Sequence, residues 1–341
     1  MVRWRAAIAQ WFERRWYGGY PPNRALRIMA RGFEWIVRRR RQRFLDAMAV
    51  KGDLHKQRAG VPVIVVGNIA VGGAGKTPLV IALVNALRLR GRRPGVISRG
   101  YGRTTDDVRR VRVDSTPAEV GDEPLLIAES SAAPVAVAAR RIEAARLLVE
   151  SGEVDVLIAD DGLQHHGLFR DVEILVVDGQ RRFGNGRVLP AGPLREPIER
   201  AKDCDFVVCN GGAAQAGEVP MQLELGDAVA LAGGERRALA SLAGVRVHAV
   251  AGIGNPERFF TALRAAGLSI VPHAFTDHHE FHAADLDFGD SAPLLMTEKD
   301  AVKCARFAQA NWYAAPAKAR LPESFFDAIA ARLAIKPENP T

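Results

Sequence analysis

Apolar residues in this chain come as short unbroken runs, separated by longer stretches in which they recur every three or four positions. Val61-Pro62-Val63-Ile64-Val65-Val66 is the first run. Val156–Ala159, Val172–Val177, Phe206–Cys209, Val245–Ala251 and Leu294–Met296 follow. Runs of four to eight residues rich in β-branched side chains are what strands buried on both faces require. Leu79–Leu87, Glu143–Glu150, Pro256–Ala266 and Ser324–Leu333 read as helices lying between or after them. Strands alternating with helices predict an α/β fold built on parallel sheets with helices on both faces.

Ahead of the first strand the rhythm changes. Trp4, Ile8, Trp11, Phe12 and Trp16 lie at helical spacing, Gly18-Gly19-Tyr20-Pro21-Pro22 interrupts, and Leu26, Met29, Phe33, Ile36 and Val37 repeat the spacing into Arg38-Arg39-Arg40-Arg41. At the other end of the first α/β block, residues 210–240 are rich in Gly and Ala and read as a linker. The expected organisation is an amphipathic helical arm over 1–55, a first α/β domain over 56–215, and a second, smaller α/β domain over 220–341.

Composition narrows the class. The 341 residues are 48% hydrophobic and 25% charged, which excludes a disordered, collagen-like or coiled-coil chain. No stretch of 18 apolar residues occurs, so no ordinary membrane-spanning helix is expected. Neither does an apolar stretch of signal-peptide length follow Arg3 and Arg5 before Glu13. Three cysteines without a C-x-x-C spacing argue for a reducing compartment and against a structural zinc site.

The formal net charge of +8 is unevenly placed. The first 60 residues hold 15 Lys/Arg against 4 Asp/Glu, leaving 32 against 35 for the rest. Four of the five tryptophans also lie in this basic arm. Indole rings favour the lipid–water boundary and arginines favour anionic head groups, so the arm reads as one that lies on a membrane surface. The same stripes also suit helices packed on the body. Interleaved Arg and aromatics would suit nucleic acid as well, but the body shows no nucleic-acid module.

The chemistry begins after the first strand. Gly67-Asn68-Ile69-Ala70-Val71-Gly72-Gly73-Ala74-Gly75-Lys76-Thr77-Pro78 lies between that strand and a helix, the layout of a P-loop. Glycines let successive backbone N–H groups turn toward phosphate oxygens, and the helix N-terminus adds positive dipole. The segment Ala70, Val71, Gly72, Gly73, Ala74, Gly75, Lys76 and Thr77 is therefore the expected ATP-binding set, with the Thr77 hydroxyl on Mg²⁺. One departure stands out: the usual pattern has Gly where this chain has Ala70. The second metal contact is expected at Asp160-Asp161, where another apolar strand ends in paired carboxylates. The fold class is thus a P-loop NTPase-type parallel sheet with a second α/β lobe and the arm.

Together these blocks resemble the tetraacyldisaccharide 4′-kinase family of lipid A assembly. The resemblance rests on the phosphate loop, Ser98-Arg99-Gly100-Tyr101-Gly102-Arg103, Gly121-Asp122-Glu123-Pro124 and Asp160-Asp161-Gly162-Leu163-Gln164-His165. It continues through Gly184-Asn185-Gly186, Leu189–Pro197, Phe275–His279 and Thr297-Glu298-Lys299-Asp300. It covers about residues 60 to 303 in family order, and the N-terminal arm resembles the family's membrane-associated start. Leu163 stands where that family often has an aromatic.

The resemblance implies ATP- and Mg²⁺-dependent phosphorylation of the 4′-hydroxyl of a tetraacylated glucosamine disaccharide 1-phosphate at the cytoplasmic face of the inner membrane. It also implies two lobes with the site between them. Asp122 matches the catalytic carboxylate and His278 its paired histidine. Asp160, Asp161 and Glu196 match acidic groups at metal and nucleotide, and Arg195 a basic group beside them. Expected partners are the membrane-embedded lipid substrate and an anionic lipid surface, with neither nucleic acid nor an obligate protein partner.

Several residues keep two readings. Asp122 ahead of Glu123-Pro124 also reads as a helix N-cap. His278 and His282 have the i, i+4 spacing of a zinc pair, although no cysteine lies near to close the site. Arg99 and Arg103 suit either a phosphate clamp or surface ion pairs. The role of Glu298-Lys299-Asp300 is open. The alternative function is a P-loop nucleotide switch, a GTPase or ATPase acting on a partner protein at the membrane, against which the Thr297–Asp300 spacing fits guanine recognition poorly.

Overall fold

The computed structural model describes residues 11–49 and 57–334. Trp4, Ile8, Arg3 and Arg5 of the arm lie outside the described residues. By internal contacts the chain divides into two units, the first formed by 1–76, 155–221 and 321–341 and the second by 77–154 and 222–320. These units interleave along the chain, so their limits differ from the linear boundaries 56–215 and 220–341.

The first unit is built on parallel strands. Val219–Met221, Phe206–Asn210, Val172–Asp178, Val63–Gly67 and Val156–Asp160 lie side by side in that order. All residues of Val63–Gly67 and of Val156–Asp160 are buried, as continuous apolar runs dictate. Register places Val66 opposite Asp160, so the phosphate loop and the acidic strand end leave the sheet side by side.

Helix Arg24–Ala49 belongs to this unit and has two apolar faces. One, with Leu26, Ala30, Phe33, Val37 and Phe44, is buried or half-buried. Phe44 stacks on His166 with centroids 5.0 Å apart, and Arg41 meets Asp203 at 2.9 Å. The other face leaves Ile28, Met29, Trp35 and Ile36 exposed. The stripe expected as one face is thus divided: Leu26, Phe33 and Val37 turn inward, Met29 and Ile36 outward. Residues 11–16 are helical, and Trp16 Nε1 donates to the Pro190 carbonyl at 3.2 Å.

The second unit carries a six-stranded sheet in the order Arg236–Arg237, Ala228–Ala230, Trp312–Ala315, Leu294–Thr297, Arg246–Ala251, Ser269–Ala274. The last four strands are mutually parallel, and the first two are antiparallel additions. Its two faces are filled by Phe259, Phe260, Leu263 and Leu295 on one side and by Phe281, Leu286, Met296 and Trp312 on the other. Pro94–Ser98, Val135–Val137 and Arg109–Arg110 form a shorter ladder in the same unit.

Residues 210–240 are not a plain linker. They hold Val219–Leu225, Ala228–Ala230 and Arg236–Arg237, which pair with neighbouring strands and so satisfy their backbone groups in ladders. The three cysteines are free thiols, and burial pushes Cys204 and Cys304 up to about 12.

Candidate functional site

In the first unit the chain leaves Val63–Gly67 and makes the glycine turn with Gly72 at φ +103° and Gly75 at φ +88°, backbone that only glycine adopts without strain. A Cβ at Gly75 would also lie 2.1 Å from Asn210 Nδ2, which donates to the Ala74 carbonyl at 2.8 Å. Position 70 makes no such demand. Ala70 forms an isolated bridge with Leu194, Val71 N donates to the Pro193 carbonyl at 2.9 Å, and Arg195 N donates to that of Ile69 at 2.6 Å. Extended backbone tied to the 188–195 segment explains why alanine is tolerated where the usual pattern has glycine. Gly67 is needed for another reason, because its hydrogen faces the buried Leu163 side chain.

Lys76 opens helix Lys76–Leu89, and Thr77 follows it. Lys76 Nζ lies 3.4 Å from Asp161 Oδ1 and 3.4 Å from Asn68 Oδ1. Asp161, in left-handed backbone at φ +46°, also receives Arg195 Nη1 on Oδ2 at 3.2 Å. Burial pushes its carboxyl up, but the charges of Lys76 and Arg195 outweigh it and hold the group below its usual range. Asp160 ends its strand fully buried. Glu196, 1% exposed, accepts from Gln164 Nε2 at 2.7 Å and lies 3.4 Å from Arg200 Nε. Gln164 Nε2 donates to the Asn68 carbonyl as well, at 3.0 Å, so it joins Glu196 to the base of the phosphate loop. The loop borders an open cleft that Tyr17, Asp178, Arg181 and Arg182 also line.

Among the described residues no group of three or more His, Cys, Asp or Glu side chains forms a metal cage. A magnesium–nucleotide complex needs none, because the ion keeps waters and phosphate oxygens and takes only one or two carboxylates from protein. A threonine hydroxyl and carboxylates beside a phosphate loop have that chemistry. The zinc pair does not form: His278 turns to Asp122, and His282 precedes the short turn Ala283–Leu286 as its N-terminal cap.

The second unit holds another constellation. Helix Asp122–Ser131 begins after Gly121, whose φ is +91° and whose Cβ would lie 3.0 Å from Gly100 Cα. Gly100 in turn would meet the Val120 carbonyl at 2.6 Å. These two glycines let the 98–103 loop lie against the helix start and bring Tyr101 to 4.9 Å from the His278 ring. Asp122 is buried at the helix start; Oδ1 accepts from Glu123 N at 3.0 Å and Oδ2 meets His278 Nδ1 at 3.1 Å, across 156 residues of chain. The capping reading does not hold, because Gly121 is the N-cap and Asp122 the first residue of the helix; one carboxylate oxygen takes the neighbouring Glu123 amide and the other meets the histidine. His278 sits at φ +58°, an uncommon backbone for a residue with a side chain.

Burial opposes ionisation of Asp122, yet the His278 hydrogen bond and the Lys299 charge outweigh it and keep the carboxyl below its ordinary range. The hydrogen bond it makes to Asp122 lifts the His278 imidazole above its usual value, against burial and Lys299. Lys299, left open in the sequence, stands at this pair, 3.0 Å from Glu123 Oε1. Arg99 is exposed, while Arg103 Nη1 donates to the Asp107 carbonyl at 2.7 Å. Sequence reasoning also passed over Asn68, Gln164, Tyr101 and Asn210, all within or next to motifs it had marked.

The family described as tetraacyldisaccharide-1-P 4′-kinase (LpxK) matches residues 22–334. The tetraacyldisaccharide 4′-kinase of Stenotrophomonas maltophilia (strain R551-3) is 51% identical over 328 residues, covering 93% of this chain and 95% of that protein. That of Xanthomonas euvesicatoria pv. vesicatoria (strain 85-10) is 51% identical over 331 residues, 93% and 94% of the two chains. The crystal structure of "apo" form LpxK from Aquifex aeolicus in complex with ATP superposes with a TM-score of 0.74 at 28% identity, covering 89% of this chain and 97% of that one.

Proposed function

This chain belongs to the tetraacyldisaccharide-1-P 4′-kinase family, and from that premise we propose which of its residues perform the transfer. The protein is an ATP-dependent kinase of lipid A biosynthesis, acting on the 4′-hydroxyl of a tetraacylated disaccharide 1-phosphate. The nucleotide-switch alternative gains no support from its relatives. Asp300, the last residue of the segment weighed for guanine recognition, is fully buried and accepts from Gly252 N at 2.8 Å.

In the proposed mechanism the loop amides of 70–75 and Lys76 hold the triphosphate, with Arg195 beside them. Thr77, Asp160 and Asp161 would offer their oxygens to Mg²⁺, and Glu196, fixed by Gln164 and Arg200, would complete the acidic set. When bound, Mg²⁺ neutralises charge on the phosphate oxygens. Asp122 accepts the proton of the sugar hydroxyl as that oxygen bonds to the γ-phosphorus. The bond from phosphorus to the leaving ADP oxygen breaks, and Lys76 and the loop amides stabilise the charge that collects there. His278 orients Asp122 and stabilises its carboxylate.

The observation that carries these roles is the Asp122–His278 contact, made by two residues from distant motifs, one at a helix start and one in left-handed backbone. It is tested with labelled ATP and the disaccharide 1-phosphate lipid. Asp122→Asn should lose about 10²–10⁴-fold in kcat, the usual worth of general-base catalysis, while binding nucleotide as wild type does. Undiminished transfer by Asp122→Asn removes it from the mechanism.

No described helix is long and apolar enough to cross a membrane. We read the arm over 1–55 as the part that holds the enzyme at the cytoplasmic face of the inner membrane, on anionic lipid. The outward face of Arg24–Ala49, with Ile28, Met29, Trp35 and Ile36 exposed among arginines, supports that reading. Each substrate methylene drawn into water costs about 0.8 kcal/mol, so an enzyme lying on the surface avoids extracting the acyl chains.

A further inference from the structure

We propose that Lys299 is a positioning residue of the transfer reaction, one whose ammonium fixes which nitrogen of His278 carries the proton and so keeps Asp122 ready as the accepting carboxylate. The inference rests on the roles given above to Asp122 and His278.

The helix that presents Lys299 is tied down at its start. Thr297 caps Glu298–Cys304, and Asp300, fully buried, accepts from Thr297 Oγ1 at 2.7 Å and from Gly252 N at 2.8 Å. Lys303, one turn on, is committed to Asp300 Oδ1 at 2.7 Å and to the His279 carbonyl at 3.1 Å. Lys299 is thereby held with its side chain 15% exposed among four groups. Its Nζ lies 3.0 Å from Glu123 Oε1, 3.2 Å from Asp277 Oδ1, 3.3 Å from His278 Nε2 and 3.9 Å from Asp122 Oδ2.

An ammonium has three donors and no acceptor. The nitrogen it meets on His278 must therefore accept, which leaves the ring proton on Nδ1, where it faces Asp122 Oδ2 at 3.1 Å. With the opposite tautomer, Lys299 would point a donor at a donor, and Asp122 would face a bare nitrogen lone pair. The cation also acts through space, disfavouring both the imidazolium and the protonated carboxyl. Asp277, 3.9 Å from His278 Nε2, opposes it on the ring, Glu123 binds the ammonium itself, and Tyr101 covers the ring without charge. Burial works against the ammonium itself, but Glu123, Asp122 and Asp277 hold its pKa above the ordinary lysine range, so it stays charged throughout the working pH.

The sign of the pH effect follows. The competent pair is a carboxylate with a neutral imidazole, and both are lost as pH falls. Activity should rise with pH through the imidazole pKa, which lies above the ordinary 6.5. Without the Lys299 charge, Asp122 and Asp277 would act on the ring unopposed and this limb would move to higher pH. A lysine that merely braces the fold would lower activity without moving it.

The test takes the full-length protein. In wild type, histidine ¹⁵N NMR should find the neutral His278 ring protonated on Nδ1 and bare on Nε2; the reverse tautomer overturns the proposal with no mutation involved. In Lys299→Met, the acid limb of kcat/KM and the His278 titration should both move up by about one pH unit, the lower end of what a close charge does. Lys299→Arg, which keeps the charge, should restore both toward wild type. A Lys299→Met enzyme with lowered kcat but an unmoved limb and titration also overturns the proposal. Failure of the underlying reading shows separately, as full turnover by Asp122→Asn.

Discussion

At Gly75 two independent constraints meet in one residue. Its φ of +88° costs any L side chain about 1–3 kcal/mol, and its Cβ would collide with the Asn210 amide that holds the Ala74 carbonyl. Gly72 shares the left-handed backbone at φ +103°, but a methyl group there would meet nothing within 4 Å. Gly75→Ala should therefore weaken ATP binding and lower the melting temperature by clearly more than Gly72→Ala, as calorimetry and thermal unfolding would read. Equal effects would mean that backbone strain alone governs the loop. The phosphate loop was legible because its glycines and Lys76 are spaced by covalent geometry. Asn210 was not, since it comes from a strand far along the chain and only sheet register brings it there. Lys299 was hidden for the same reason: T-E-K-D reads locally as a strand end leading into a capped helix, and nothing local says that its lysine meets Asp122 and His278.

Among the elements, strands buried on both faces were the easiest to read, because burial removes polar residues from the whole run. Val219–Leu225 was missed although Val219, Met221, Leu223 and Leu225 alternate with Pro220, Gln222 and Glu224, the period-two sign of a half-buried strand. The glycine and alanine content around it masked the alternation. Helix Arg24–Ala49 begins where its apolar spacing predicts but runs on past Arg41 to Ala49, and its single stripe proved to be two faces, one inward and one exposed. That division makes an element-scale prediction. Phe44→Ala, on the inward face against His166 and the Arg170 guanidinium, should lower stability by about 3–5 kcal/mol, the usual cost of deleting a buried phenyl. Trp35→Ser with Ile36→Ser, on the outward face, should leave the melting curve nearly unmoved and reduce co-sedimentation with vesicles. Loss of stability with no loss of vesicle binding would show that the outward face serves the fold.

For the molecule as a whole, charge is divided along the sequence: the first 60 residues carry 15 basic against 4 acidic groups, the remainder 32 against 35. Membrane attraction should then come from the arm and hold two contributions that respond differently to salt. The electrostatic part amounts to about 1 kcal/mol for each arginine near an anionic surface and is screened as the Debye length shrinks from about 10 Å at 0.1 M salt to about 3 Å at 1 M. Some arginines are already engaged within the protein: Arg38 meets Glu199 at 3.2 Å and Arg41 meets Asp203 at 2.9 Å, so the salt-sensitive part is smaller than a count of charges suggests. The apolar part, set by Ile28, Met29, Trp35 and Ile36, scales with buried area at about 25 cal/mol per Å² and does not weaken with sodium chloride. Raising salt from about 0.05 to about 0.5 M should therefore lower partitioning onto anionic vesicles by more than about tenfold yet leave a residue of binding that neutral vesicles share. Trp35→Ser with Ile36→Ser should remove that residue and keep the salt-sensitive part. ATP binding, measured by calorimetry without lipid, should lack this dependence on the arm, whereas kcat/KM for the embedded lipid should fall in step with partitioning. If vesicle binding proved indifferent to salt, the clustered arginines would have to serve the protein's own carboxylates, and the outward apolar face alone would account for its hold on the bilayer.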